Sequence, residues 1–314
     1  MNIVTYNLLA PTLATPTIYP GADPVALDPA VRVPLLLGRL GAAVSQNAIV
    51  CMQEVTSDLW SAHLVPFLTE SGYAVTLQEY GKTHGGQLGV AIAWPVRAYQ
   101  HVQTRSCPLV TTKAKWTVKS GHFPEDARKC AGSKPNQLLA VQLIDETTRR
   151  PFFLGTYHMP AMFALPSAMN MHAILASNYM HTLSGGGQMP YILAGDFNIL
   201  PGSSTYQLLT VGALIRGHPE QPVQHFKDEW RVAAPMRSVY ALANAGREPE
   251  FTNFAHATTR CGVFRGTLDY IFISNGLVPT RAVVDLRGQA GPFPSREEPS
   301  DHVPLYASLA FVSE

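Results

Sequence analysis

The chain has 314 residues, 46% hydrophobic and 14% charged, so it holds material for a large core and lacks the composition of a disordered segment. Twenty-three Lys and Arg stand against 22 Asp and Glu, a formal charge of +1, which excludes a global basic field and leaves any polyanion to be bound locally. Cys51, Cys107, Cys130 and Cys261 show no CxxC spacing, which argues against a zinc site or disulfide framework and for reduced thiols in a cytoplasmic protein.

The opening MNIVTYNLLAPT lacks a basic region followed by an apolar one, so residues 3–8 are expected to form a strand and not part of a signal peptide. Residues 30–45 place Leu35, Leu36, Leu37 and Leu40 on helical spacing, 48–52 form a short buried strand, and 56–72 form a helix stopped by glycine. Strands are expected at 89–94, 137–143 and 152–157, a helix at 166–183, and strands again at 191–194 and 268–273. The glycines at 185–187 mark a turn, since no GK[ST] follows to make a phosphate cradle. The uncharged stretch 172–195 contains His, Asn, Ser and that glycine run, which disqualifies it as a membrane span. Apolar runs alternating with helix-length segments, without a repeat, predict one layered α/β domain over 1–314. One locally basic stretch, 111–134, carries Lys113, Lys115, Lys119, Arg128, Lys129 and Lys134; it is expected to be a solvated hairpin or loop, or else the wall of a polyanion groove.

Four polar clusters sit at or just past the ends of predicted strands: Thr5-Tyr6-Asn7, Gln53-Glu54, Asp196-Phe197-Asn198 and Leu268-Asp269-Tyr270. Tyr157-His158 and Ser300-Asp301-His302 add two imidazoles. Four carboxylates, three amides and two imidazoles are costly to bury unless a cation and an anion compensate them, so together they argue for a site. Carboxylate and amide oxygens without thiolates suit Mg²⁺ or Mn²⁺ better than zinc. Such a cation keeps open positions for phosphate oxygens.

In this order the motifs TYN, MQE, YHM, AGDFN, LDYI and SDH resemble those of the endonuclease/exonuclease/phosphatase superfamily over essentially the whole chain. The resemblance implies a two-sheet α/β sandwich flanked by helices, the deoxyribonuclease I-like four-layer fold, with the site at one edge of the sheets. It also implies roles. Glu54 is similar to the main metal carboxylate, with Asn7 and Asp301 as direct or water-mediated partners. Asp196 resembles the residue that orients or deprotonates the attacking water, and Asn198 the amide that holds phosphate or nucleophile. His302 resembles the imidazole that faces the phosphate, paired with Asp269, and His158 a second one facing phosphate or leaving group.

Within the superfamily, TYNLLAPTLA, YHMPAMFALP, the EPEFTN segment at 248–253 and GTLDYIFIS look most like the branch of nocturnin, Angel proteins, carbon-catabolite-repression deadenylases and 2′-phosphodiesterase. Abasic-site endonucleases usually carry a second polar residue two places after the equivalent of Asn7; here that place is Leu9. The implied activity is Mg²⁺-dependent hydrolysis of RNA 3′ ends, as a poly(A)-type 3′-exoribonuclease or a 2′,5′-oligoadenylate phosphodiesterase, with RNA or an adenine nucleotide as substrate. Phosphomonoesterase action on a dinucleotide, inositol phosphate or lipid is the alternative, and a catalytically dead binding module is disfavoured because every polar position is filled by a competent residue. Phe251 is expected to stack on a base, or else to be core, and Asn136 to stand at the groove wall, or else to be a turn residue.

Overall fold

The computed structural model describes residues 1–83, 86–109, 125–214, 218, 220, 230–258, 262–284 and 291–312. Two six-stranded sheets dominate. The first contains β1 (Asn2–Asn7), β2 (Ile49–Thr56), β3 (Tyr73–Thr83), β4 (Gly86–Pro95), β13 (Leu277–Val284) and β14 (Leu305–Phe311) in the order β13-β14-β1-β2-β4-β3. The second contains β5 (Tyr99–Pro108), β6 (Gln137–Asp145), β7 (Pro151–His158), β8 (Tyr191–Asp196), β9 (Arg237–Ser238) and β12 (Asp269–Ile273) in the order β5-β6-β7-β8-β12-β9. A separate ribbon pairs β10 (Asn253–Ala257) with β11 (Gly262–Gly266).

Helices cover the outer faces. α1 (Pro24–Leu27) leads into α2 (Pro29–Val44), and α3 (Ser57–Leu59) runs through a π turn, Trp60–Leu64, into α4 (Val65–Glu70). Pro29 at the first position of α2 loses no helical hydrogen bond, and the Asp28 carboxylate accepts from the Ala30 N–H at 2.8 Å. The second sheet is covered by α5 (Glu125–Gly132), α6 (Pro166–Leu183) and α7 (Ser204–Val211), while α8 (Val239–Ala243) packs near β12 and β13. Three apolar layers result. Ile3, Ile49, Ile92, Val141, Leu154, Ile192 and Ile271 fill the space between the sheets; Leu36, Leu40 and Leu64 pack on the first sheet's outer face; Ile174, Met180 and Leu208 pack on the second's. This is the expected helix–sheet–sheet–helix sandwich.

The predicted elements at 3–8, 30–45, 137–143, 152–157, 166–183 and 191–194 lie within a residue or two of β1, α2, β6, β7, α6 and β8. The glycines at 185–187 do form a turn, with φ of 69°, 75° and 86°. Most of the basic stretch falls outside the described residues, but its end is helix α5, not hairpin or loop. Cys51, Cys107 and Cys130 are free thiols. Among the described residues no helix is long and apolar enough to cross a membrane.

Strand register brings the polar clusters to one edge. β7 pairs parallel with β8 so that His158 faces Asp196, and β8 pairs antiparallel with β12 so that Asp196 faces Asp269. In the other sheet β1 pairs parallel with β2, setting Asn7 against Gln53. Gly195 makes the β7–β8 approach possible: a Cβ there would stand 2.0 Å from the Tyr157 carbonyl oxygen, and its φ of 151° is one that side chains avoid.

Candidate active site

Glu54 occupies a bulge. The β2–β4 register slips between Gln53 and Val55, and Glu54 takes a φ of 58°. One carboxylate oxygen then accepts from Asn7 Nδ2 at 3.1 Å and the other from the Ala10 N–H at 2.9 Å. Its neighbour Gln53 is a correction: the amide is fully buried and donates to Thr156 Oγ1 at 2.9 Å and Thr5 Oγ1 at 3.1 Å, so it belongs to the layer between the sheets. Strand alternation sends the two side chains to different places, and the bulge turns Glu54 to the rim.

Asp196 is the centre of the arrangement. Its Oδ1 accepts from the Asn198 N–H at 2.9 Å, while Oδ2 accepts from Asn7 Nδ2 at 3.0 Å. The same Oδ2 stands 3.5 Å from His158 Nε2 and 3.6 Å from His302 Nε2. Asn198, with a φ of 52°, closes this turn and donates Nδ2 to the Met159 carbonyl at 2.9 Å, so its turn role and its place at the site coincide.

His302 is backed by Asp269. Nδ1 lies 2.7 Å from Asp269 Oδ2, which also accepts from Thr252 Oγ1 at 2.6 Å. Burial alone would push the imidazole pKa down, but the charges of Asp269, Asp301 and Asp196 outweigh it and hold His302 above its usual range. Burial in turn raises Asp269, opposed by His302. The favoured state is therefore an imidazolium donating Nδ1–H to the carboxylate and presenting Nε2–H towards Asp196.

His158 is set by residues that the motifs do not reveal. Asn136 Nδ2 donates to its carbonyl at 2.8 Å, and the Tyr80 hydroxyl lies 3.2 Å from Nδ1. Burial, with Glu54 and Asp196 nearby, drives the Tyr80 phenol well above its usual value, so it stays protonated and can donate to Nδ1. In the neutral ring the Nε2–H then points at Asp196. Asp301 accepts from Asn253 Nδ2 at 2.9 Å, and Ser300 Oγ donates to the Asn7 carbonyl at 2.7 Å. Tyr80, Thr252 and Asn253 sit in segments without a catalytic motif, and only the FTN run at 251–253 hinted at two of them.

Glu54, Asp196, Asn198, Asp301, His158 and His302 form the polar floor of a cleft of about 440 Å³. Leu9, Leu13, Ile18, Tyr19 and Ala257 line one part of it, and Pro135, Asn136, Pro160 and Phe163 another. Phe251 is not among them. Its ring is 4% exposed, packed with Phe293 and Val303, with the Arg265 guanidinium 4.5 Å from its centre, so no face is open to a base and the stacking expectation is corrected to core. Phe251→Ala should therefore cost about 3–5 kcal/mol of stability and lower activity equally on all substrates, as melting and two-substrate kinetics would read.

The donors suit a hard cation. Glu54 and Asp301 present carboxylate oxygens to the cleft, and Asn7 offers an amide oxygen that also accepts from the Leu9 N–H at 3.0 Å, with no thiolate among them. Asp196, Asp269 and His302 also bring ligand atoms within 4.8 Å of one another, but His302 Nδ1 and Asp269 Oδ2 are already engaged with each other.

The family model for the endonuclease/exonuclease/phosphatase family matches residues 4–302. The chain belongs to that family. Among curated relatives of this endonuclease/exonuclease/phosphatase chain, 2',5'-phosphodiesterase 12 of Mus musculus is 24% identical over 335 residues, covering 98% of this chain and 51% of the relative. Carbon catabolite repressor protein 4 homolog 2 of Arabidopsis thaliana is 24% identical over 356 residues, covering 98% and 57%. The chain thus spans little more than half the length of these relatives. Among solved structures, ANGEL2, a 2',3'-cyclic phosphatase in complex with adenosine-2',3'-vanadate, superposes with a TM-score of 0.76 at 20% identity, covering 98% of this chain and 95% of that one. The human Nocturnin catalytic domain with bound sulfate gives 0.69 at 20% identity, covering 99% and 94%. At that identity the structural likeness carries the fold, which is the family's two-sheet sandwich.

Proposed function

We propose that residues 1–314 form one catalytic domain that hydrolyses phosphodiesters at RNA 3′ ends, 3′,5′ or 2′,5′ linked, with Mg²⁺ or Mn²⁺ held by Glu54, Asn7 and Asp301. The observation that carries this reading is the convergence of Asn7, His158 and His302 on one carboxylate oxygen of Asp196 at the cleft floor. Similarity to 2',5'-phosphodiesterase 12 and to the carbon catabolite repressor protein supports the substrate class.

Asp196 Oδ2 accepts a proton from the attacking water as its oxygen bonds to phosphorus. His302, charged and backed by Asp269, donates Nε2–H to the oxygen on which negative charge grows, in a site largely closed to solvent. His158 Nε2–H is placed to serve the leaving oxygen as its bond to phosphorus breaks. When bound, the cation would supply Lewis-acid polarisation of the phosphoryl group.

Lys134 is the single Lys or Arg among the described residues lining the cleft, which favours a short substrate over a long polyanionic footprint and keeps the phosphomonoesterase reading in play. A panel comparing shortening of labelled RNA with release of inorganic phosphate separates the two. Shortened RNA, lost in excess chelator and restored by Mg²⁺ or Mn²⁺, is expected; phosphate release without shortening would replace the diesterase reading. Full turnover in excess chelator would remove the metal.

A further inference from the structure

Arg32 takes no part in the chemistry above, yet it is the cation buried behind it. Helical spacing puts it on the stripe of α2 that also carries Leu36 and Leu40, and its side chain is 1% exposed. A guanidinium is costly to bury unless its donors are satisfied and anions lie near. Nη2 donates to the Leu8 carbonyl at 3.0 Å and the Leu9 carbonyl at 2.6 Å, and Nε donates to the Pro299 carbonyl at 2.7 Å. Burial opposes its charge, which Tyr6, Asp301, Tyr19 and Glu54 favour.

The three carbonyls belong to two separate segments. Leu8 and Leu9 lie between Asn7, which donates to both Glu54 and Asp196, and Ala10, whose N–H holds the other Glu54 oxygen. Leu9 has a φ of 52°, a conformation a branched residue adopts only when its surroundings impose it. Pro299 opens the run Ser300-Asp301-His302, where the Ser300–Asn7 hydrogen bond ties the two segments in parallel, with the Tyr6 hydroxyl donating to Glu298 one residue further out on each. A planar fork can span two such segments at fixed spacing, whereas a lysine ammonium cannot.

We propose that Arg32 is a positioning residue whose fork sets the spacing between the Asn7–Glu54 half and the Asp301–His302 half of the site, and thereby sets the affinity for Mg²⁺. This rests on the metal reading above. Asp196, His158 and Asp269 are not touched by Arg32, and the His302 ring is anchored by Asp269 at 2.7 Å, so loosening the fork weakens metal binding more than it disturbs the chemical step.

The test uses the full chain and reads Mg²⁺ binding by calorimetry, kcat and KM against Mg²⁺, and melting temperature. Arg32→Lys is expected to fold, to bind Mg²⁺ about 10- to 100-fold more weakly, as loss of a partner that orients metal ligands does, and to recover near wild-type kcat and KM at saturating Mg²⁺. A folded Arg32→Lys with wild-type Mg²⁺ affinity overturns the proposal, whatever its melting temperature. If Arg32→Lys does not fold, Ser300→Ala, which cuts the Ser300–Asn7 tie, decides: weakened Mg²⁺ binding upholds a spacing-controlled site, and unchanged binding refutes it. A wild-type chain that binds no Mg²⁺ sinks the metal reading instead and leaves the Arg32 contacts as structure alone.

Discussion

Asp196→Asn is expected to lower kcat by roughly 10²- to 10⁴-fold, the range of a positioned acid–base group, with KM for labelled RNA and the Mg²⁺ requirement close to wild type. The two carboxylate oxygens have separate duties, Oδ1 accepting from the Asn198 N–H and Oδ2 from Asn7 Nδ2. An asparagine fills the same space but can accept with only one of the two positions, so one hydrogen bond is lost whichever way the amide is turned. That leaves a buried donor without a partner and costs about 1–3 kcal/mol, which lowers the melting temperature without dismantling the fold. What vanishes is the basic oxygen between His158 and His302, since an amide oxygen does not take up a water's proton at neutral pH. Single-turnover kinetics at saturating metal would read the chemical step directly. Turnover at the wild-type rate would move the base elsewhere and undo the reading of Asp196 as the centre of the site.

The sandwich and the site were legible to different depths. Central elements such as β1, β7 and β8 show up as short apolar runs because both their faces are covered. β5 escaped notice because it is a largely exposed edge strand, YQHVQTRSCP, without a clean alternation, and β13 and β14 because proline, arginine and small residues interrupt their patterns. Asn7, Glu54, Asp196 and Asp269 could be named because polar clusters stand at or just past strand ends, and His302 because SDH follows them in the order the family resemblance requires. That Gln53 turns away from the site could not be read, since it depends on a bulge and a left-handed backbone that pairing with β4 creates. Phe251 went the other way: its place ahead of the LDY strand that brings Asp269 into the site suggested the rim, but the ring turns inward beneath Arg265. Tyr80 reaches His158 across 78 positions of sequence, a contact no local pattern encodes. Arg32 did leave a signal, a charged residue on the apolar stripe of an amphipathic helix, where burial without a partner would be prohibitive.

His302→Ala and Asp269→Asn should each lower kcat by roughly 10²-fold or more, and the double variant should be little worse than the worse single one. The pair acts as one unit because Asp269 reaches the substrate only through the imidazole. In Asp269→Asn the amide oxygen can take the place of Oδ2, which keeps the hydrogen bonds from His302 Nδ1 and Thr252 Oγ1 and places the amide nitrogen where Oδ1 is already without a partner. The substitution therefore removes charge and leaves the geometry. Three carboxylates hold the imidazole pKa above its usual range, and removing one lets it fall, so His302 loses its proton at a lower pH. The alkaline limb of the kcat profile should move towards acid in Asp269→Asn, and activity lost at neutral pH should partly return as the pH is lowered. His302→Ala, with no imidazole to recharge, should show no such recovery. Defects that multiply in the double variant, or a limb that stays in place in Asp269→Asn, would separate the two residues and leave His302 to be charged by Asp196 and Asp301 alone.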